Sequence, residues 1–315
     1  MSLSLLFAAS TFLVPAPIAK PEGWTGQIVM LRESAVEYRL DPAGMDNAGN
    51  LRMIEYRVAR DLGELLVVIE NGKEAFVLKR RMVLQTEAAA WYNEFIQLNP
   101  TDPAGYAFRG WAFKQRKDNE NALNDYNKAI ELQPSQCAWW NNRALIWIEK
   151  KEFEKAIADY GEAIRLFPQY GLAYRNRGTC LQKQKDYANA LKDFEKAIEL
   201  GAESPYSWNS LARFLAACPD DKFRDGKRSL ELATKAFEMT EGKNGWILDT
   251  LAAAHAEVGE FDEAIKFQEK AFLDPFYTTD KEKLNEARQR LNGYREKKPF
   301  RDVPKEQWAD RNVSR

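Results

Sequence analysis

Residues 137–170 read CAWWNNRALIWIEKKEFEKAIADYGEAIRLFPQY, and residues 171–204 read GLAYRNRGTCLQKQKDYANALKDFEKAIELGAES. Small and aromatic residues recur in these stretches, and in residues 103–136 before them, at a constant interval of 34. An interval of this length predicts stacked pairs of helices that form a helical solenoid. The positions in step are Gly110, Ala144 and Gly178; Ala122, Ala156 and Ala190; Tyr126, Tyr160 and Phe194; and Ala129, Ala163 and Ala197.

The small residues have a physical reason, because two helices approach closely only where the facing side chains are small. Gly110 is therefore predicted to face Ala122, while aromatic residues such as Trp147 and Tyr160 fill the wider parts of the same interface. Pro134 and Pro168 follow the second helices and end them. These residues resemble the tetratricopeptide repeat family. The resemblance implies a mainly α chain that holds other proteins.

The predicted solenoid spans residues 103–276 in five repeats. Three repeats share one register, the fourth slips because its second helix begins about five residues late, and the fifth restores the pattern. A half-repeat before the solenoid and a helix after it are predicted to cap its ends. The predicted segments are repeats 103–136, 137–170, 171–204, 205–244 and 245–276, capping helices 86–100 and 279–297, and a mobile tail 298–315.

A second domain is predicted before the repeats, at residues 22–85. Short apolar runs separated by turn signals indicate five strands, and Asn71-Gly72 is typical of a two-residue hairpin turn. Trp24, Gly26, the run YRV at 56–58 and a closing hairpin at 67–83 resemble bacterial SH3-like domains, which implies a small SH3-like β-barrel. The sequence EAFV at 74–77 departs from the Gly-Trp-Val strand of such domains and removes a groove aromatic. Ligand binding and capping of the first repeat both stay open for this barrel.

Residues 1–20 form a largely apolar leader without charge from Ser2 to Ala19. This segment is typical of a signal peptide, although no Lys or Arg precedes it and Pro17 spoils the cleavage pattern. A retained membrane anchor is the alternative. The expected location is exported, periplasmic or envelope-associated.

The residues that usually carry chemistry are sparse. His255 is the only histidine and is expected to be packed, and the three cysteines have no CxxC spacing and are expected to be buried. Neither a GxGxxG nor a GxxxxGK[ST] motif occurs. The chain is therefore predicted not to be an enzyme, with no catalytic residues, no metal and no cofactor. A net charge of −1 and mixed charges on the predicted helices favour no nucleic-acid binding.

The resemblance also implies a binding surface. In this repeat family, ligands usually lie on the concave side, at the second, fifth, sixth, ninth, twelfth and thirteenth residues of each repeat. Asn142 and Asn176 are expected to bond a peptide backbone, and Arg175 and Arg213 to bind carboxylates. The alternative is that the asparagines link helices and the arginines are solvated. The candidate groove residues are Trp111, Lys114, Asn141, Asn142, Leu145, Arg175, Asn176, Thr179, Gln182, Tyr206, Asn209, Arg213 and Trp246.

Together these features predict a non-enzymatic scaffold that binds a peptide or a partner helix in the concave groove. Trp111, Tyr206 and Trp246 favour apolar or aromatic anchors on that partner. A protein of another class is the alternative: a cell-wall glycan or envelope-surface binder that acts through the SH3-like domain. The partner and the oligomeric state are not determined by the sequence.

Overall fold

A computed structural model describes residues 84–302 in full and, before them, the backbone of five strands at residues 28–31, 56–61, 65–70, 73–78 and 82–84. The chain divides into two compact units, Met1–Pro168 and Gln169–Arg315, which we call the N-terminal unit and the C-terminal unit. The solenoid repeats are therefore described within each unit separately.

The N-terminal unit begins with the strands β1 (Ile28–Leu31), β2 (Tyr56–Asp61), β3 (Leu65–Glu70), β4 (Lys73–Leu78) and β5 (Met82–Leu84). They pair antiparallel in the order β4-β3-β2-β1-β5. The SH3-like barrel, its ligand groove and the wall contact stay predictions. The leader at residues 1–20 lies outside the described residues, so export and anchoring stay predictions too.

Helices follow the strands in pairs, as the interval of 34 predicts. In the N-terminal unit they are α1 (Ala88–Leu98), α2 (Pro103–Gln115), α3 (Asn119–Leu132), α4 (Cys137–Glu149) and α5 (Phe153–Leu166). The C-terminal unit holds α6 (Gly171–Lys183), α7 (Tyr187–Leu200), α8 (Pro205–Ala217), α9 (Gly226–Met239), α10 (Gly245–Glu257), α11 (Phe261–Ala271), α12 (Pro275–Thr278) and α13 (Lys281–Arg295). Within each repeat the two helices pack against each other: α2 on α3, α4 on α5, α6 on α7, α8 on α9 and α10 on α11.

The small residues lie where the helices of a pair are closest. A Cβ atom added to Gly110 would lie 3.1 Å from the carbonyl oxygen of Ala122, and one added to Gly178 would lie 3.0 Å from the ring of Phe194. Tyr126 is fully buried in the same layer. The predicted close approach of Gly110 and Ala122 is confirmed.

Each first helix of repeats one, two, three and five ends on a residue with left-handed backbone. The residues are Lys117, Lys151, Lys185 and Gly259, with φ between 60° and 85°. Repeat four differs, because a loop with a 3₁₀ turn at Asp221–Phe223 separates α8 from α9. As a result α9 begins at Gly226, 21 residues after Pro205 begins α8, whereas Tyr187 begins α7 16 residues after Gly171 begins α6. The predicted slip of about five residues is confirmed.

Candidate partner-binding surface

In the N-terminal unit, two of the candidate groove residues are held by the protein itself. Trp111 is partly buried against the core around Ala112 and Tyr126. The Nζ of Lys114 lies 3.3 Å from Oε1 of Glu149, which joins the first helices of repeats one and two. These two side chains link neighbouring helices.

The asparagines of repeat two have a different environment. Asn141 is only 3% exposed, and its Nδ2 donates to Oδ1 of Asn142 at 3.1 Å. Its own Oδ1 is buried and accepts no hydrogen bond from residues 84–302. A buried acceptor of this kind requires a donor, which water or a partner N–H can supply. Leu145, one helical turn further along α4, is half-buried.

In the C-terminal unit, Arg175 contacts three other candidates. Its guanidinium lies 5.8 Å from the centre of the Tyr206 ring, and its Nη2 donates to Oδ1 of Asn176 at 3.4 Å. The hydroxyl of Thr179 donates to the backbone oxygen of Arg175 at 3.2 Å. Asn209 is half-buried, and its Oδ1 has no donor among the described residues. Arg175 therefore places a positive charge on an exposed aromatic ring.

Four of the five exposed large apolar side chains in the described part of the C-terminal unit share one helix position. The second residues of α6, α8, α10 and α12 have exposed fractions between 36% and 85%. The corresponding residues of α2 and α4, Ala104 and Ala138, are small and buried. We call the exposed set the apolar row; its members are Leu172, Tyr206, Trp246 and Phe276.

Charged residues flank the apolar row as well. The Nζ of Lys283 lies 4.9 Å from the centre of the Trp246 ring. The Tyr277 ring packs edge-on against the same Trp246 ring, with 4.8 Å between the ring centres. Sequence reasoning selected Tyr206 and Trp246 but missed Leu172, Phe276 and Lys283. Leu172 is the second residue of repeat three, a position at which ligands usually lie in this repeat family, so it could have been selected. Phe276 lies in a helix that the interval of 34 does not predict.

Arg213 belongs to a buried cluster of charged and polar side chains around Asp249. Its Nη1 donates to Oδ2 of Asp249 at 2.7 Å, while Oδ1 accepts from Nη2 of Arg290 at 2.7 Å and from the hydroxyl of Tyr277 at 2.8 Å. Burial opposes ionisation of Asp249, but the charges of Arg290 and Arg213 outweigh it and lower its pKa to about 2. We expected Arg213 to bind a partner's carboxylate, and instead it pairs with a carboxylate of the same unit. Gln182 likewise donates to Asp302, in the last described segment of the chain.

A second kind of charge pair recurs every 34 residues and was missed by sequence reasoning. The guanidinium of Arg109 donates two hydrogen bonds to Asp125, at 2.8 and 2.6 Å. Arg143 and Asp159 repeat this geometry, as do Arg177 and Asp193. Each pair fastens the first helix of a repeat to the second. The recurrence of opposite charges at the seventh and twenty-third positions was the available signal.

His255 and the cysteines have structural environments. The His255 ring stacks on Phe267 at 5.1 Å, and its Nδ1 lies 2.7 Å from Oε2 of Glu260. The backbone N–H of Glu260 also donates to the carbonyl oxygen of His255, so both bonds close the turn between α10 and α11. All three cysteines are buried, and burial raises the pKa of Cys180 to about 12. Across residues 84–302, no group of three His, Cys, Asp or Glu side chains is arranged to hold a metal ion.

Comparison with known families supports the prediction of tetratricopeptide repeats. Residues 104–136, 137–170 and 171–201 each match a model of the tetratricopeptide repeat. The predicted repeats are confirmed in this part of the chain. Tetratricopeptide repeats generally mediate protein–protein interactions.

Solved structures extend the likeness over about two thirds of the chain. The Cut9–Hcn1 hetero-tetramer of APC/C matches with a TM-score of 0.56 and 16% identity, over 64% of this chain and 39% of that one. PilW, a type IV pilus biogenesis factor, matches with a TM-score of 0.54 and 16% identity, over 64% and 90% of the two chains. PilF of Pseudomonas aeruginosa matches with a TM-score of 0.52 and 19% identity, over 65% and 90%. At these identities the likeness is one of fold.

A search of curated protein sequences gave no match. The repeat models and the three solved structures indicate no catalytic family. Among the described residues, none of the helices has the length and apolar character needed to cross a membrane.

Proposed function

We propose that the protein is a non-enzymatic scaffold whose C-terminal unit binds a segment of a partner protein along the apolar row. The observation that carries this proposal is the exposure of Leu172, Tyr206, Trp246 and Phe276, each at the second residue of its helix, in α6, α8, α10 and α12. An aligned set of large apolar side chains in water is typical of an interaction surface.

The geometry of the repeats sets the form of the partner. Packed helices lie about 8–10 Å apart, and α8 packs against both α6 and α10. An extended chain advances about 3.3 Å per residue. A partner in extended conformation would therefore meet successive members of the row with apolar side chains spaced about three residues apart. Each large side chain buried in this way contributes roughly 1.5–3 kcal/mol before the cost of ordering the partner.

The charges beside the row set the rest of the partner's chemistry. Arg175 lies over Tyr206, and Lys283 lies over Trp246. Carboxylates placed between the apolar anchors would meet these two cations and would speed association. The proposed partner segment is therefore apolar and acidic, in alternation along its length.

A displayed library of random dodecapeptides, selected on the purified protein, tests this proposal. We expect the selected peptides to share aromatic or aliphatic residues with an Asp or Glu between them. The double variant Tyr206→Ser, Trp246→Ser should bind a selected peptide at least tenfold more weakly, because two central anchors are lost. Leu273→Ser is the matched control, because Leu273 is 79% exposed in the same unit but lies outside the row.

Two results would overturn the proposal. One is selection of peptides without apolar residues. The other is equal loss of affinity in Leu273→Ser and in the double variant, which would show that the row has no special part in binding. Circular dichroism of both variants confirms that the helices are retained.

A further inference from the structure

A second set of positions lies at the other end of the same helices. The twelfth and thirteenth residues are Gln182 and Lys183 in repeat three, Ala216 and Ala217 in repeat four, and Ala256 and Glu257 in repeat five. Ten residues of helix separate these positions from the apolar row, a distance of about 15 Å. We call this set the C-terminal strip.

The chain's own last described residues lie on the C-terminal strip. After α13 the backbone reverses at Lys297, which has a φ of 56°, and the N–H of Lys298 donates to the carbonyl oxygen of Gly293 at 2.8 Å. Residues 299–302 then run from α10 across α8 to α6 in irregular conformation. Although sequence reasoning assigned residues 298–315 to a mobile tail, this part of the segment has defined contacts.

Each side chain of the segment has its own site. The Phe300 ring packs against the cluster of Ala252, Ala256 and Tyr294. Two guanidiniums face the ring, that of Arg213 at 5.5 Å and that of Arg290 at 5.2 Å. An aromatic ring held between apolar side chains and two cations is a specific contact.

The next two residues make charged contacts. Arg301 Nη1 donates to Oε2 of Glu257 at 2.6 Å. The carboxylate of Asp302 accepts from Gln182 Nε2 at 3.0 Å and from Lys183 Nζ at 3.3 Å. The segment is therefore recognised as an aromatic residue, an arginine and an aspartate in succession.

The C-terminal strip also binds the segment through backbone groups. The last four carbonyls of a helix have no partner within the helix. The N–H of Asp302 donates to the carbonyl oxygen of Ala217 at 2.8 Å, and the Arg301 guanidinium reaches that of Ala216 at 3.4 Å. The free carbonyls at the end of α8 thus bind the segment through one backbone N–H and one arginine side chain.

From these contacts we propose that the C-terminal strip is a second peptide-binding site, specific for an extended segment of the pattern aromatic–Arg–Asp. The chain's own residues 299–302 are its resident occupant, and an external segment of the same pattern binds by displacing them. A short connection to α13 gives the resident segment an effective concentration of roughly millimolar. The affinity of the chain for an external peptide is then the intrinsic affinity of the strip multiplied by the fraction of molecules in which the strip is open.

The test uses a fluorescein-labelled, C-terminally amidated peptide of residues 296–302, EKKPFRD, added to the full chain. We expect the variant Phe300→Ala, Asp302→Ala to bind this peptide at least tenfold more tightly than the unaltered chain, because its own segment no longer competes. The matched control is Glu296→Ala, Lys298→Ala, which removes the exposed ion pair between these two side chains of the same segment. That control should bind the peptide as weakly as the unaltered chain.

Further variants locate the binding site. Added to the Phe300→Ala, Asp302→Ala chain, Lys183→Ala and Gln182→Ala should weaken peptide binding at least fivefold. Tyr206→Ser, Trp246→Ser should leave it unchanged, so failure of this inference and failure of the apolar-row proposal are distinguishable. Because loss of Phe300 removes a packed ring, Asp302→Ala alone serves as a second variant that keeps the core contacts.

Equal peptide affinity of the unaltered chain, the double variant and Asp302→Ala, with all three folded by circular dichroism, would overturn the inference. The segment would then be a fixed part of the fold. Equal affinity for EKKPFRD and for the same peptide with alanine in place of its Phe and Asp would overturn it as well.

Discussion

The first three repeats and the C-terminal end of the chain hold their buried carboxylates in different ways. In repeat one, Asp125 is bound by one arginine of its own repeat, Arg109, and repeats two and three copy that arrangement. Asp249 is bound by Arg213, Tyr277 and Arg290, which come from α8, α12 and α13. One carboxylate thus joins four helices.

The difference appears in the pKa values. Burial raises the pKa of Asp125 above its usual range, and the single Arg109 does not compensate. Burial acts on Asp249 as well, but two arginines lower its pKa to about 2. Each of the first three repeats has a charge pair within itself, whereas the helices around Asp249 are stabilised as one connected group.

The largest expected effect is therefore that of breaking the Asp249 cluster. Asp249→Asn should lower the free energy of unfolding by about 3–5 kcal/mol, because Arg290 would remain buried without its counter-charge. Asp125→Asn should cost about 2 kcal/mol, since Arg109 is partly exposed and can turn to water. Urea unfolding followed by circular dichroism measures both. Equal costs would show that the shared carboxylate gives no extra coupling.

Lowering the pH should change the contributions of Asp249 and Asp125 to stability in opposite directions. The pKa of Asp249 is lower in the folded chain than its ordinary value of 3.8, so its ionised form favours folding. This contribution is complete above pH 4 and is lost as the pH falls toward 2; it amounts to about 2 kcal/mol. The pKa of Asp125 is raised, so its protonation favours folding and its contribution changes in the opposite direction.

Urea unfolding between pH 5 and pH 2.5 measures this effect. We expect the stability of the unaltered chain to fall over that range, and the fall to be smaller by about 1.5 kcal/mol in Asp249→Asn. Asp125→Asn should make the fall steeper. A fall of the same size in the unaltered chain and in Asp249→Asn would contradict the assignment of the lowered pKa to Asp249.

The regular repeats were predictable because their contacts are periodic. Gly110 and Ala122 lie twelve residues apart, and the same small residues recur in the next two repeats, so one sequence contains three copies of the evidence. The helix pairs of residues 103–204 and the slip before α9 follow from that interval. The repeated pair of Arg109 and Asp125 carried the same periodic signal.

The C-terminal contacts were not predictable in this way, because each occurs once. Arg290 lies 41 residues from Asp249, and Asp302 lies 120 residues from Gln182. Neither separation is a multiple of 34, so the sequence offers no second copy to reveal them. The proposed binding surface was therefore anticipated at Tyr206 and Trp246, whose positions follow the repeat. It was not anticipated at Phe276, the last residue of the fifth predicted repeat, or at residues 299–302, which lie beyond the repeats.

The smallest expected effect concerns the turns inside the repeats. The left-handed residue that ends the first helix is lysine in repeats one to three, namely Lys117, Lys151 and Lys185, and Gly259 in repeat five. Left-handed backbone destabilises a residue with a Cβ atom by roughly 1–2 kcal/mol. The destabilisation is smaller for glycine, which adopts this conformation readily. Lys151→Gly should therefore raise the free energy of unfolding by about 0.5–1 kcal/mol.

Gly259→Lys is the reciprocal change, and it isolates the backbone term. A Cβ atom at Gly259 would have nothing within 4 Å, so the substitution causes no clash. We expect it to lower the free energy of unfolding by about 1 kcal/mol. Stabilisation by Lys151→Gly together with destabilisation by Gly259→Lys would show that the two regions differ in their turns only by backbone strain. If both changes destabilise the chain, then the lysine side chains themselves support the turns of the regular repeats.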